Sequence, residues 1–131
     1  MFYECLMVGL GGLLGSVLRY RIGFIPIKES TTFPINTFII NILGAILISL
    51  IAFYINNTMH DVNASTLKNI ILFLKVGVCG GFTTFSTFAL ETGDLIKNGN
   101  IEMAFLYVLL SVVIGVTVIF IPEILYNNQH I

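Results

Sequence analysis

Apolar residues along this chain gather into four long runs, over about residues 2–20, 35–54, 69–96 and 103–121, separated by short polar connections. Each run is near the ~20 residues that an α-helix needs to cross a bilayer core. The second run is uncharged but carries Asn36, Thr37, Asn41 and Ser49. The fourth is also uncharged, and Pro122 marks its end. Between the runs lie a loop with Pro26, Lys28, Glu29 and Pro34, a hydrophilic stretch from Asn56 to Lys68, and a tight turn at Lys97-Asn98-Gly99-Asn100. The pattern predicts an all-α integral membrane protein, one four-helix domain spanning 1–131.

Composition sharpens this class. Of 131 residues 56% are hydrophobic and 10% charged, and mean hydropathy is +0.97. A soluble domain carries about 25% charged residues, so this chain lacks the polar surface to dissolve itself. A net charge of -1 argues against nucleic acid and against a polybasic lipid anchor. Cys5 and Cys79 have no zinc or redox spacing and read as unpaired apolar thiols. Glu4 precedes the first run and Arg19 and Arg21 follow it, the wrong order for a signal peptide, so that run is expected to stay. The lipid bilayer of the cell membrane is the expected surrounding.

The third run contains an anomaly. From Asn69 to Leu90 its one charge is Lys75, near the end of the span, yet its centre reads Gly80-Gly81-Phe82-Thr83-Thr84-Phe85-Ser86-Thr87-Phe88. Adjacent glycines and β-branched threonines weaken a helix. Backbone groups freed at that depth find no water, so a break survives where it is buried in protein, lines a cavity or holds an ion. The expected architecture is therefore four transmembrane helices with the third broken at mid-membrane, a pattern that points to transport.

Small residues explain how the spans associate. Gly11/Gly15 and Gly77/Gly81 both have GxxxG spacing, which lets backbones approach where lipid offers little hydrophobic drive. One bundle of this size can scarcely bury a polar break, so oligomerisation is expected. Four spans put both termini on one side, with Lys68. Arg21, Lys28 and Lys97, joined by Arg19 if exposed, fall on the other. So slight a bias fits insertion in both orientations.

The polar groups within the spans are mainly donors: Thr37, Asn41, Thr83, Thr84, Ser86, Thr87, Tyr107, Ser111 and Thr117, with Arg19 and Lys75 as cations. Glu91 is the one carboxylate well inside the third run. Cation pathways and proton relays ordinarily use intramembrane acids, so this balance favours a small anion. Asn41 offers two amide donors, and phenylalanine presents a positive ring edge. Phe85 and Phe88, three apart, share a helix face. Carbonyls freed at the break could hold a cation such as Na⁺, or pair with a second subunit.

The run from Gly80 to Phe88, with Glu91 following, resembles the signature of the Fluc (CrcB) fluoride channels. Gly11-Gly12 with Gly15 and Arg19-Tyr20 is similar to that family's first helix, and Asn41 with Gly44 to its second. The resemblance implies an antiparallel, dual-topology homodimer that passively exports fluoride through two pores. It implies a structural Na⁺ at the dimer centre, held by the Gly80 and Thr83 carbonyls of each subunit. It implies pore phenylalanines at Phe85 and Phe88, a pore asparagine at Asn41 and a vestibule arginine at Arg19. Thr37, Ser86, Thr87, Tyr107 and Ser111 would form a polar track. Gly115 departs from the pattern, since some members carry a serine there.

Two other readings fit the size. A small multidrug-type proton-coupled exporter needs an acid deep in its first span, where this chain has Glu4 at the edge. A non-transporting assembly subunit predicts no ion flux at all.

Overall fold

The computed structural model describes residues 1–24 and 32–129. The connection holding Pro26, Lys28 and Glu29 lies outside the described residues. The described residues are helical throughout, with short turns between the elements. In order they are α1 (Phe2–Gly23), α2 (Ile35–Thr58), α3 (Ala64–Ile71), a π-helical segment (Leu72–Cys79), α4 (Gly80–Phe82), α5 (Phe85–Lys97), α6 (Ile101–Ile119) and α7 (Ile121–Gln129). Four stretches among them are long and apolar enough to cross a membrane, and the third, Ala64–Lys97, is a single course interrupted near its middle. The protein is a multi-pass membrane protein.

Two boundaries correct the apolar pattern. The third helix starts at Ala64 rather than 69, because the Asn63 side chain caps it by accepting from the Ser65 N–H at 2.9 Å. Ser65, Thr66 and Lys68 thus belong to the first turns of the helix and not to an exposed connection. Lys75 is accordingly several turns inside the element, away from its end. At the other end Pro122 does not stop the chain. Its ring interrupts the ladder at Phe120, and the residue then sits in the first turn of α7, where a missing N–H costs nothing.

Exposed leucines and valines cover the outside, among them Leu10, Leu13, Val17 and Val116. Inside, α1 lies directly on the π-helical segment and α4. A Cβ added to Gly77 would come 2.8 Å from the Gly11 Cα, and one added to Gly81 would come 2.6 Å from the Gly12 carbonyl oxygen. The glycine spacing is therefore spent on backbone contact within one chain. A second, side-chain core joins α5 to α6, where Tyr107, Ala104 and Leu95 are buried against Phe33, Phe38 and Phe88. Cys5 and Cys79 are both free thiols.

Candidate functional site

The interruption falls at the threonines, not at the glycines. Gly80 is helical, with φ -64° and ψ -37°. Thr83 (φ -80°, ψ 159°) and Thr84 (φ -147°, ψ 106°) are extended. The glycine pair keeps helical geometry because Gly81 is packed on Gly12. Threonine tolerates the extended form well, and Thr84 gains an N-cap role: its Oγ1 accepts from the Thr87 N–H at 3.2 Å and donates to Thr87 Oγ1 at 2.9 Å.

Asn41 bridges the gap from α2. In an unbroken helix the Thr84 N–H would go to the Gly80 carbonyl; here it donates to Asn41 Oδ1 at 2.9 Å. Asn41 Nδ2 donates back to the Thr84 carbonyl at 3.3 Å. The amide thus satisfies both backbone groups of one residue and retains one N–H. Gly44 lets α2 come this close, since the Thr83 methyl occupies the space a Cβ would need.

The four carbonyls from Gly80 to Thr83 lose their helical donors as a result, and at the two ends of that run the donors can be followed. Thr84 N–H leaves Gly80, and Thr87 N–H leaves Thr83 for the Thr84 hydroxyl. The Thr83 carbonyl accepts instead from Arg19 Nη1 at 3.3 Å, which uses one of its two lone pairs. Among the described residues no three His, Cys, Asp or Glu side chains cluster to hold a metal. A cation at the break would rest on these backbone oxygens, and hard carbonyl ligands fit a hard ion such as Na⁺.

The residues singled out in the sequence divide between two openings flanking the break. One is a groove of about 450 Å³ lined by Asn41, Lys75, Thr83, Phe85, Phe88 and Ser111, among others. Phe85 is 79% exposed, its ring centroid 5.9 Å from that of Phe88. Phe88 in turn packs on Tyr107 at 5.0 Å. The Ser111 hydroxyl is buried with no hydrogen-bond partner. The other opening, about 490 Å³, is lined by Arg19, Ser16, Asn36, Thr37, Thr84 and Thr87. Ser86 is exposed beside it, 3.4 Å from the Thr84 hydroxyl.

Thr37, which lines the second opening, also shares a partner with Tyr107, which lines neither. Both donate to the Glu91 carboxylate, Thr37 Oγ1 at 2.7 Å and Tyr107 Oη at 2.9 Å. Glu91 therefore ties α2, α5 and α6 together, a role the sequence reading did not give it. One turn after Phe88 it sits on the aromatic face of α5, and that spacing was the available signal.

Comparison with known proteins identifies the family. Residues 6–122 match the family model described as CrcB-like protein, Camphor Resistance (CrcB). A relative from Azobacteroides pseudotrichonymphae, named a fluoride-specific ion channel FluC, is 34% identical over 127 residues, covering 95% of this chain and 97% of that one. A Phocaeicola vulgatus protein of the same name is 45% identical over 112 residues, 85% of this chain and 88% of that one. A third so named, from Clostridium perfringens, is 42% identical over 117 residues, 88% of this chain and 86% of its own length. With the family model matching residues 6–122 and these relatives 34%, 45% and 42% identical over most of their length, the chain belongs to the CrcB, or Fluc, family.

Proposed function

We propose that this chain is a channel rather than an enzyme, passing fluoride out of the cytoplasm down its gradient through two pores of an antiparallel homodimer. One observation carries the reading. A helix break at mid-span brings a spare amide N–H, an unpartnered hydroxyl and two phenylalanine rings into one groove without a lining carboxylate. Fluoride is small and strongly hydrated, so a pore favours it by supplying several donors in a narrow space. Asn41 and Ser111 supply polar donors, while the Phe85 and Phe88 edges supply the positive part of a ring quadrupole. Arg19, at the opposite opening, attracts the anion toward the break, with Ser86 and Thr87 offering hydroxyls beside it. The nearby Glu91 carboxylate is engaged by the Thr37 and Tyr107 hydroxyls, which lowers its repulsion of an anion. Hydrogen fluoride enters cells from acid surroundings and dissociates inside, so an open exit path suffices.

The dimer follows from exposure. Phe85, Ser86 and Thr87 are exposed at the level of the break, where lipid cannot satisfy hydroxyls. A second copy related by a two-fold axis in the membrane plane would cover both breaks at once. The weak loop-charge bias supports insertion in both orientations. When bound, Na⁺ would supply positive charge among the Gly80 and Thr83 carbonyls, which have lost their helical donors.

The test is efflux from liposomes loaded with potassium fluoride and triggered with valinomycin, read by a fluoride electrode. Fluoride release with little chloride release from matched vesicles is the expected result. Release equal to empty liposomes overturns the channel. Replacing Na⁺ by a large organic cation during purification should weaken the dimer. Elution and activity indifferent to that exchange would remove the ion from the proposal.

A further inference from the structure

Lys75 has no part in the reading so far, yet it lines the same groove as Asn41, Phe85, Phe88 and Ser111. Its place is set by the π-helical segment, whose i→i+5 turns put Lys75 and Gly80 on one face. From the break it lies roughly 10 Å back along the helix axis, taking a helical rise per residue. With the helix starting at Ala64, that depth is inside the apolar part of the span. A charge there is costly and faces a polar cavity or a partner. Among the described residues the ion pairs join Met1 and Lys68 to Glu4 and Lys97 to Asp94, and none involves Lys75.

The groove itself says what such a charge could meet. Past Ser111 the α6 wall is Val112 and Ile119, and past Asn41 the α2 wall is Gly44, Ala45 and Ile48. Polar donors therefore cluster at one end, and the far end would be apolar if Lys75 were removed. An ammonium offers three donors and a full positive charge. We propose that Lys75 is an anion-docking residue at the far mouth of the groove, holding a small hydrated anion before or after its passage between the phenylalanines. The inference rests on the channel reading and adds a site to it. In the single chain the lysine is half-buried at the groove wall.

The competing explanation is a lysine that snorkels to the headgroups and takes no part in transport. Both are separated by flux measured over a series of fluoride concentrations in reconstituted wild type, Lys75→Met, Lys75→Arg and Lys75→Glu. Docking predicts a loss of about three- to tenfold for Lys75→Met at low fluoride, the scale of removing one charge from a partly desolvated path. The deficit should shrink as fluoride rises, Lys75→Arg should recover most of the flux, and Lys75→Glu should fall furthest. If Lys75→Met does not fold, Lys75→Gln carries the same comparison. Equal flux in wild type, Met and Glu variants at every concentration overturns the docking role alone. So does an equal loss in the Met, Arg and Glu variants that does not depend on concentration, the mark of a packing defect. Absence of flux in the wild type overturns the channel reading and this inference with it.

Discussion

Upstream of Thr83 the broken helix lies on α1 backbone against backbone, whereas downstream α5 is held by side chains. The first contact runs through Gly11, Gly15, Gly77 and Gly81, none of which has room for a methyl group. The second depends on Glu91 with Thr37 and Tyr107, and on Leu95 buried against α6. Glycine contact without side chains gives a stiff support that cannot adapt. Hydroxyl, carboxylate and ring contacts leave polar atoms in place for a passing ion. The break sits at the seam between these two kinds of packing.

The largest effect should come from filling the upstream contact. Gly77→Leu would drive a side chain into the α1 backbone and cost about 3 kcal/mol or more. Monodisperse protein should vanish from size-exclusion chromatography. Gly9→Ala, with open space around it, should elute unchanged. Normal elution of Gly77→Leu would break the comparison at its root.

Next comes the seam. Asn41→Asp keeps an acceptor for the Thr84 N–H but loses the donor to the Thr84 carbonyl and faces it with a carboxylate. Fluoride efflux should fall to the empty-liposome rate while protein is still recovered. Unimpaired efflux would leave Asn41 as a mere brace.

Downstream, Phe85→Ile and Phe88→Ile should each reduce efflux at least about tenfold, since aliphatic groups lack a positive edge. The two should differ in stability. Phe88 contacts Tyr107 and its loss should lower the thermal midpoint, with about 1 kcal/mol of aromatic pairing gone. Phe85, largely exposed in the single chain and resting on Phe88, should lower the midpoint less. Identical midpoints in dimer and variants would blur the division between the two sides.

The smallest effect belongs to the exposed Lys68–Glu4 pair at the upstream edge. Glu4→Gln should leave the thermal midpoint almost unchanged, with any difference fading in high salt. A large salt-insensitive loss would show that glycine contact does not suffice upstream.

The upstream contact was legible because GxxxG spacing encodes close approach directly: Gly11 meets Gly77, while Gly15 lies on the Val78 backbone and Gly81 on Gly12. The break was legible as an event within Gly80–Phe88, and the structure narrows it to Thr83 and Thr84. A glycine pair looks weak in isolation, yet tertiary contact with Gly12 keeps it helical. In the structure Thr84 caps α5 by accepting from the Thr87 N–H, a contact that the apolar pattern does not reveal. Asn63 was a comparable signal for α3, hidden because the apolar run begins only later. Glu91 and Thr37 are 54 positions apart, and no local pattern in one sequence joins residues so distant. Lys75 looked peripheral for the same reason that α3 looked short.

The extended pair at Thr83 and Thr84 also sets a field. Two helical stretches meet there end to end, so the negative pole of one faces the positive pole of the next, each roughly half an elementary charge. One interruption thereby yields an electron-rich carbonyl end and an electron-poor amide end at nearly the same depth in the bilayer. The two poles suit ions of opposite sign, as at half-helix termini in transporters. Backbone dipoles do not titrate. The electrostatic pattern at the seam therefore persists when the surroundings turn acid, the condition that drives hydrogen fluoride into a cell.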